Sequence, residues 1–284
     1  MAAPRMRGVE LRPLSGALGA EVLGLDVNRL DTSGAAWLRA ALLEHQLLAI
    51  RGQQLEPRSF SDFAGLLGKR EVYPFSEPID EDPFVVPIVK EPDDQEVFGG
   101  IWHTDSSYLE KPPSLTLLHA VELPVQGGDT LFANMYAVFE SLSPALREVL
   151  SRLRGIYTAD LVHGSSGAFA AAAGADRNRR EPDDVPVEVS HPIVRTHPET
   201  GRKAIYAGLA HTREFTGFTR AESLPLLEYL DGVARLPEFG ARLAWQAGTV
   251  AIWDNRCVQH YALDDYPGER RVMHRIIIAG DRPV

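Results

Sequence analysis

Apolar residues recur along the chain with two periods, and these periods divide it into elements. From Val9 to Val27 they are spaced as in strands, with breaks at Gly16, Gly19 and Gly24, which predicts a hairpin-like pair of strands. In "DTSGAAWLRAALLEHQ" the residues Trp37, Leu38, Ala41 and Leu42 fall along one helical face, and Thr32 or Ser33 stands where an N-cap belongs. "LLAIRG" is short and apolar throughout, as a buried strand is. "EPRSFSDFAGLLG" predicts a second helix, with Pro57 in its first turn, Phe60, Phe63, Ala64 and Leu67 on its buried side and Gly68 as its stop.

Residues 74 to 100 are rich in proline and acidic residues around one apolar core, "FVVPIV", which predicts a single strand between two loops. A strand ("SLTLLHAVEL"), a turn ("PVQGGD"), a second strand ("TLFANM") and a helix over "AVFESLSPALREVLSRL" follow. "VSHPIVRTHPETGRKAIYAG" has the pattern of a hairpin with "PETG" at its tip. After a helix around "RAESLPLLEYLDGVA", the stretches "AWQAGTVAIWDNRCVQHYAL" and "RRVMHRIIIAGD" read as two strands joined through "DDYPGE". Many short strands, Gly/Pro turns and a few outer helices predict a mainly β fold with flanking helices, a jelly-roll barrel. Residues 159 to 190 run from small residues into mixed charge without a period. A stretch of that length inside a compact domain is expected to be a lid over the site or a surface insertion.

Composition narrows the function classes. With 284 residues, 44% of them hydrophobic, one domain spanning 1–284 is the expectation. Lys plus Arg total 29 against 39 Asp plus Glu, and a net charge of −10 argues against nucleic acid, which requires clustered positive charge. The N-terminal stretch lacks an apolar core of the signal-peptide kind, and nowhere do roughly 18 uninterrupted apolar residues occur, so a cytoplasmic protein without a membrane partner is expected. Cys257 is the single cysteine, which excludes an internal disulfide and a thiolate-rich zinc cluster. Any metal would be held by histidine and carboxylate.

"IWHTDSSY" places His103 and Asp105 two apart, and in an extended segment such residues share a face. His260 in "DNRCVQHYAL" could supply a third ligand. Two histidines and one carboxylate make the facial triad of non-haem Fe(II) oxygenases, which leaves coordination positions open. Any one of nine histidines is more simply a surface or core residue, and the strand after His260 is what raises the odds. Arg271, Met273 and Arg275 alternate with Val272, His274 and Ile276, so two guanidiniums share one face of a strand that is otherwise apolar. Buried arginine is costly unless it meets an anion, either a carboxylate of the protein or a dicarboxylate co-substrate.

At these residues the sequence resembles the taurine/2,4-D dioxygenase (TauD/TfdA) family of Fe(II)- and 2-oxoglutarate-dependent oxygenases. The resemblance runs from "GALGAEVLGLDV" through "WHTDSSYLEKPPS" and "ELPVQGGDTLFANM" to "HPETGR", "GTVAIWDNRCVQHYALDDY" and "RRVMHRIIIAGDRP". It implies a double-stranded β-helix, cupin-like, and the cofactors Fe(II), 2-oxoglutarate and O2, with succinate and CO2 as co-products. By motif, His103, Asp105 and His260 correspond to the iron ligands. Thr130 and Arg271 correspond to the residues holding the distal carboxylate of 2-oxoglutarate, and Arg275 to the arginine near the keto acid that also reaches anionic substrates. Because Asp105 is present, the resemblance implies hydroxylation rather than halogenation.

The expected substrate is a small, anionic molecule: a sulfonate, alkyl sulfate, aryloxyalkanoate or similar. Taurine enzymes of the family carry a histidine where this chain has Arg70 and an asparagine where it has Gly99, while Tyr73 is kept. Arg70 is either a substrate clasp together with Arg275 or a solvated residue; Gly99 would admit a bulkier body, and Ser106 should lie near the substrate. The same machinery turned to desaturation or oxidative cleavage, a non-catalytic jelly-roll binding protein and a zinc hydrolase are the competing readings. The last lacks an H-E-x-x-H helix. Relatives imply a homo-oligomer, a dimer or tetramer.

Overall fold

The computed structural model describes residues 6–164, 167, 180, 182 and 185–284. In chain order its elements are β1 (Glu10–Pro13), β2 (Ala20–Leu23), α1 (Thr32–His45), β3 (Leu47–Ile50), α2 (Pro57–Leu67), β4 (Arg70–Glu71), β5 (Val86–Lys90), β6 (Leu115–Glu122), β7 (Thr130–Asn134), α3 (Met135–Ser141) and α4 (Pro144–Leu150). Then come β8 (Arg154–Tyr157), α5 (Asp160–His163), β9 (Val189–Pro192), β10 (Val194–Thr196), β11 (Lys203–Ile205), β12 (Thr212–Phe215), α6 (Arg220–Ala234), β13 (Gly240–Leu243), β14 (Val250–Asp254), β15 (Val258–Ala262) and β16 (Arg271–Ile278).

The strands form a large sheet in the order β1-β2-β3-β14-β6-β16-β4, with β5 also paired to β16, and smaller sheets β13-β7-β15, β12-β8-β9 and β10-β11. Side-chain alternation divides the large sheet's two faces. Leu48, Ile50, Leu117, Val250, Ile252, Ile276 and Ile278 point outward under α1 and α2, where they meet Trp37, Leu38, Phe60 and Phe63. Leu47, Ala49, Leu118, Ala251, Trp253 and Met273 point inward, against Phe132, Ala133 and Leu243 of the smaller sheet. This is the jelly-roll sandwich that the strand pattern predicts, and Arg271 and Arg275 share the inward parity of Met273.

Several local readings are corrected. The N-cap of α1 is Asp31, whose carboxylate accepts from the Gly34 amide at 2.8 Å. Thr32 and Ser33 already lie inside the first turn, where Ser33 Oγ donates to the capping carboxylate at 2.7 Å. The single helix expected over residues 137–153 is two, because Pro144 cannot continue a helix and instead starts α4 behind the cap of Ser143. "VAIWDNRCVQHYA" is not one strand but two, in different sheets: β14 ends at Asp254, and Asn255, Arg256 and Cys257 turn the chain into β15. Cys257 thus lies in the turn before the strand of His260, buried and free. Of "VSHPIVRTHPETGRKAIYAG", only β10 and β11 make the hairpin, while β9 pairs with β8. Strands β8, β12 and β13 had no recognised pattern. Most of the expected lid, residues 159 to 190, lies outside the described residues; α5 and β9 are its described ends. Among the described residues no helix is long and apolar enough to cross a membrane.

Candidate active site

The site begins with one backbone bridge. His103 and His260 face each other across an isolated antiparallel bridge, His103 N donating to His260 O at 3.1 Å and His260 N to His103 O at 2.9 Å. Residues directly opposite in an antiparallel pair project to the same side, and the two imidazole centroids are 4.1 Å apart. Asp105 lies two residues beyond His103. Its Oδ1 is 3.7 Å from His103 Nε2 and its Oδ2 3.9 Å from His260 Nε2. One ligand atom from each residue lies within 4.8 Å of the others. Nδ1–H of His103 donates to the Ile101 carbonyl at 2.7 Å, which leaves the Nε2 lone pair free toward Asp105.

Electrostatics favour metal-binding protonation states. Burial lowers the pKa of His103 and, helped by the His103 ring, takes that of His260 down to about 3. Burial pushes the Asp105 carboxyl upward, but Arg275, His260, His103 and the Thr116 hydroxyl together hold it below the usual carboxylate range. The result is two neutral imidazoles around a carboxylate.

Next to this trio is a cavity lined by Thr130, Arg271 and Arg275 together with Leu118, Trp253 and Ala262. Arg271 and Arg275 are each only 4% exposed. Nε and Nη2 of both have no hydrogen-bond partner among the described residues. Donors of this kind, buried and unpaired, signal an anion that belongs between them. Trp245 Nε1 donates to Thr130 Oγ1 at 3.0 Å. Since an indole nitrogen only donates, the threonine oxygen is the acceptor and its own hydrogen is left for a ligand. Gly128, at φ +70, brings backbone so close that a Cβ there would stand 3.3 Å from Arg271 Cδ, so the "GGD" turn forms part of the arginine's berth. Arg270, on the opposite face, is exposed and pairs with Glu91 and Glu122.

A second, smaller cavity shares His103, Asp105, Gly99 and Arg275 and is closed by Tyr73, Ser106, Tyr108 and His211. Arg275 Cζ lies 4.0 Å above the Tyr73 ring. Gly99, at φ +85, leaves just enough room for His103: a Cβ there would be 3.4 Å from Cε1. Ser106 adopts φ 48, uncommon for a non-glycine and the kind of strained backbone that gathers at sites. Arg70 is not brought in. Its Nη1 donates to Ser61 Oγ of α2 at 2.5 Å and its guanidinium covers Phe84, so it lines neither cavity. The sequence reading did not identify Tyr108 and His211. His211 follows no motif at fixed spacing and reaches the site only because β12 starts there, with Nδ1 3.0 Å from Ser107 Oγ. Beyond Ile101, shared with this second cavity, lies a more open cavity of about 480 Å³ lined by Trp102, Leu131, Leu161, Leu209 and Tyr261 and also by the ion-paired Asp231 and Arg235.

The donor set and the orphaned guanidiniums therefore fit a metal ion with an anionic co-substrate. Comparison with known proteins gives the same direction. The sequence profile described as taurine catabolism dioxygenase TauD, TfdA family matches residues 10–277. The chain is 33% identical over 284 residues to the alpha-ketoglutarate-dependent sulfate ester dioxygenase of Pseudomonas putida, covering 99% of this chain and 93% of that one. It is 33% identical over 276 residues to an alkylsulfatase of Acinetobacter baylyi, covering 96% and 86%. The crystal structure of a taurine dioxygenase from Burkholderia xenovorans aligns with a TM-score of 0.81 at 33% identity, covering 98% of this chain and 93% of the other.

Proposed function

The chain belongs to the taurine catabolism dioxygenase TauD, TfdA family, and from that premise we propose that His103, Asp105 and His260 hold the iron, that Thr130, Arg271 and Arg275 hold 2-oxoglutarate, and that the substrate is a small organic anion, first of all an alkyl sulfate ester. The protein is an Fe(II)- and 2-oxoglutarate-dependent dioxygenase that consumes O2. When bound, Fe(II) and 2-oxoglutarate together supply the chemistry that places one oxygen atom of O2 in succinate, with release of CO2, and the other as hydroxyl on a substrate C–H bond. The observation that carries the residue assignment is the trio of half-buried His103 with buried Asp105 and His260, beside guanidiniums with unpaired donors.

In this reading the protein's own groups do four things. The two neutral imidazoles and the carboxylate would hold the metal ion. Arg271 meets the distal carboxylate of 2-oxoglutarate in the forked geometry that guanidinium favours, with the Thr130 hydroxyl donating beside it. Arg275 lines both cavities and so faces co-substrate and substrate alike. Tyr73, Tyr108 and Ser106 close the substrate side against water, which protects a reactive centre from side reactions.

Three observations support a sulfate ester: the unpartnered donors of Arg275, the largely apolar cavity past Ile101 with room for a hydrocarbon chain, and relatives named as a sulfate ester dioxygenase and an alkylsulfatase. Hydroxylation of the carbon bearing the ester oxygen would give a hemiacetal ester that collapses to an aldehyde and inorganic sulfate, the proton of the new hydroxyl leaving as the C–O bond breaks. A single 1–284 domain, a cytoplasmic location and an assembly of two or four copies belong to the same proposal; light scattering of the purified protein reads the last.

Anaerobic addition of Fe(II) and 2-oxoglutarate should give a weak visible charge-transfer band that His103→Ala loses. No band in the unaltered protein would sink the ligand assignment. Succinate release across alkyl sulfates, sulfonates and aryloxyalkanoates should be fastest with an alkyl sulfate. Faster turnover of either other class would replace the substrate while leaving the iron site intact.

A further inference from the structure

Asp105 is oriented by a buried chain of hydrogen bonds in which chemistry dictates every direction. Trp253 Nε1 donates to Asn255 Oδ1 at 2.9 Å. Indole nitrogen is a donor only, so this contact settles which end of the Asn255 amide is oxygen. The amide nitrogen, Nδ2, must then be the atom 2.8 Å from Thr116 Oγ1, and it donates. With its oxygen accepting from Asn255, the hydroxyl of Thr116 has one hydrogen, and that hydrogen goes to Asp105 Oδ2 at 2.6 Å. All four residues are buried, Thr116 completely.

Their positions follow from the fold. Trp253 and Thr116 are register partners on β14 and β6. Asn255 begins the turn after β14, anchored by its amide to the Ser114 carbonyl at 2.9 Å. The end of β14 and the start of β6 thus deliver the chain to the carboxylate, with the Trp253 ring 4.7 Å from that of His260.

We propose that Thr116, held by Asn255 and Trp253, is a positioning residue that keeps Asp105 a one-oxygen ligand. With one lone pair of Oδ2 taken by the hydroxyl, Oδ1 is the freer oxygen for the metal; it faces His103 Nε2 at 3.7 Å and Arg275 Nη1 at 3.9 Å, while Oδ2 lies 3.9 Å from His260 Nε2. The count of positions makes this consequential. A carboxylate that offered one oxygen would leave more of the ion's coordination sphere for co-substrate and O2 than one that offered both. The arrangement also leaves Asp105 little rotational freedom, and groups that hold a metal ligand in place affect affinity by about tenfold to a hundredfold.

The inference rests on the ligand assignment above, and its test uses Co(II), which binds without turnover. Co(II) affinity, the visible spectrum of the Co(II) protein and 2-oxoglutarate affinity of that protein are measured for the unaltered chain, Thr116→Ser, Thr116→Val and Asn255→Ala, with far-UV circular dichroism as the check of folding. Thr116→Ser should match the unaltered chain. Thr116→Val should bind Co(II) and 2-oxoglutarate about tenfold or more weakly, with an altered spectrum, and Asn255→Ala should shift the same way because the hydroxyl is released to turn elsewhere. Unchanged affinities and spectrum in Thr116→Val would overturn the proposal, as would a Thr116→Ser protein as impaired as the valine variant, which would make the methyl group responsible. Should the valine variant not fold, Asn255→Ala decides on the same two outcomes. Failure of the unaltered chain to bind Co(II) would instead overturn the ligand assignment.

Discussion

Arg271 and Arg275 sit four residues apart on the same buried face of β16, yet only Arg275 has a carboxylate within ion-pair distance, Asp105 at 3.9 Å. Arg271 has the Trp245 ring at 5.8 Å instead. Burial lowers the pKa of Arg271, whereas Asp105 and the tyrosines Tyr73 and Tyr108 more than offset burial for Arg275. Arg271 has no carboxylate within ion-pair distance among the described residues; Arg275 has one, yet its Nε and Nη2 still lack a partner. Arg271→Gln should therefore weaken 2-oxoglutarate binding by about tenfold to a hundredfold, the range of lost hydrogen bonds to a charged group. Co(II) affinity should not change. The metal-free variant should melt no lower than the unaltered protein, since a buried charge with no carboxylate partner among the described residues has been removed. The rise in melting temperature that 2-oxoglutarate gives the unaltered protein should disappear. Unchanged co-substrate affinity would move the assignment to another residue.

The pH dependence of stability should have a contribution from His191. Its Nε2–H donates to the Leu109 carbonyl at 2.8 Å, and Nδ1 is buried without a partner among the described residues. Burial, reinforced by Arg195 and Arg154, lowers its pKa to about 4. The unfolded chain thus takes up a proton below about pH 6.5 that the folded chain refuses until about pH 4. Stability is full above the unfolded value and falls as pH drops through that window, by up to about 1.4 kcal/mol per pH unit for this one group. Urea melts of the metal-free protein between pH 7 and 4 should show a shallower decline for His191→Gln. An identical slope would mean the ring is solvated.

Arg256 in the turn after β14 should be a stability residue rather than a catalytic one. It donates to Asp254 through Nε at 2.8 Å and Nη2 at 2.6 Å and reaches Glu199 with Nη1 at 2.6 Å, while His197 Nε2–H donates to Asp254 at 3.0 Å. Removing one partner of a buried pair leaves the other charge uncompensated, at a cost of about 3–5 kcal/mol. Arg256→Ala should lower stability by that amount in denaturant melts. A loss under about 1 kcal/mol would show that water replaces the guanidinium.

Gly99 should resist branched side chains. At φ +85 any other residue is strained by about 1–2 kcal/mol, and a Cβ would already touch His103 Cε1, so Gly99→Val pushes a branched group at a metal ligand. Weaker Co(II) binding together with a lower melting temperature is expected. Retention of both would show that the loop before "IWHTD" moves freely.

How far the site could be read from sequence depends on how local each relationship is. His103 and Asp105 are two apart on extended backbone, and Arg271 and Arg275 four apart on one strand; such pairs share a face by geometry alone. Strand alternation likewise sufficed for the sandwich, since one face of the large sheet is covered by helices and the other by a second sheet. Failures came where a local competitor decides the outcome. Asp31 was the stronger cap for α1, Pro144 split a helix, and "DNRC" turned one apparent strand into two.

That last turn separates what sequence determined from what tertiary structure decided. Sequence determined the chemical inventory and its parity: imidazoles, a carboxylate, and two guanidiniums on an inward face. Only folding could decide that β15 leaves the large sheet so that His260 bridges His103, that Arg70 is held off by Ser61, and that His211 arrives from a remote segment. Only folding, too, places Trp253, Asn255 and Thr116 in line behind Asp105. Hydrogen bonds of fixed direction across strands far apart in the chain leave no periodic trace in sequence, because their partners are chosen by register and by the turn that follows, not by spacing along the backbone.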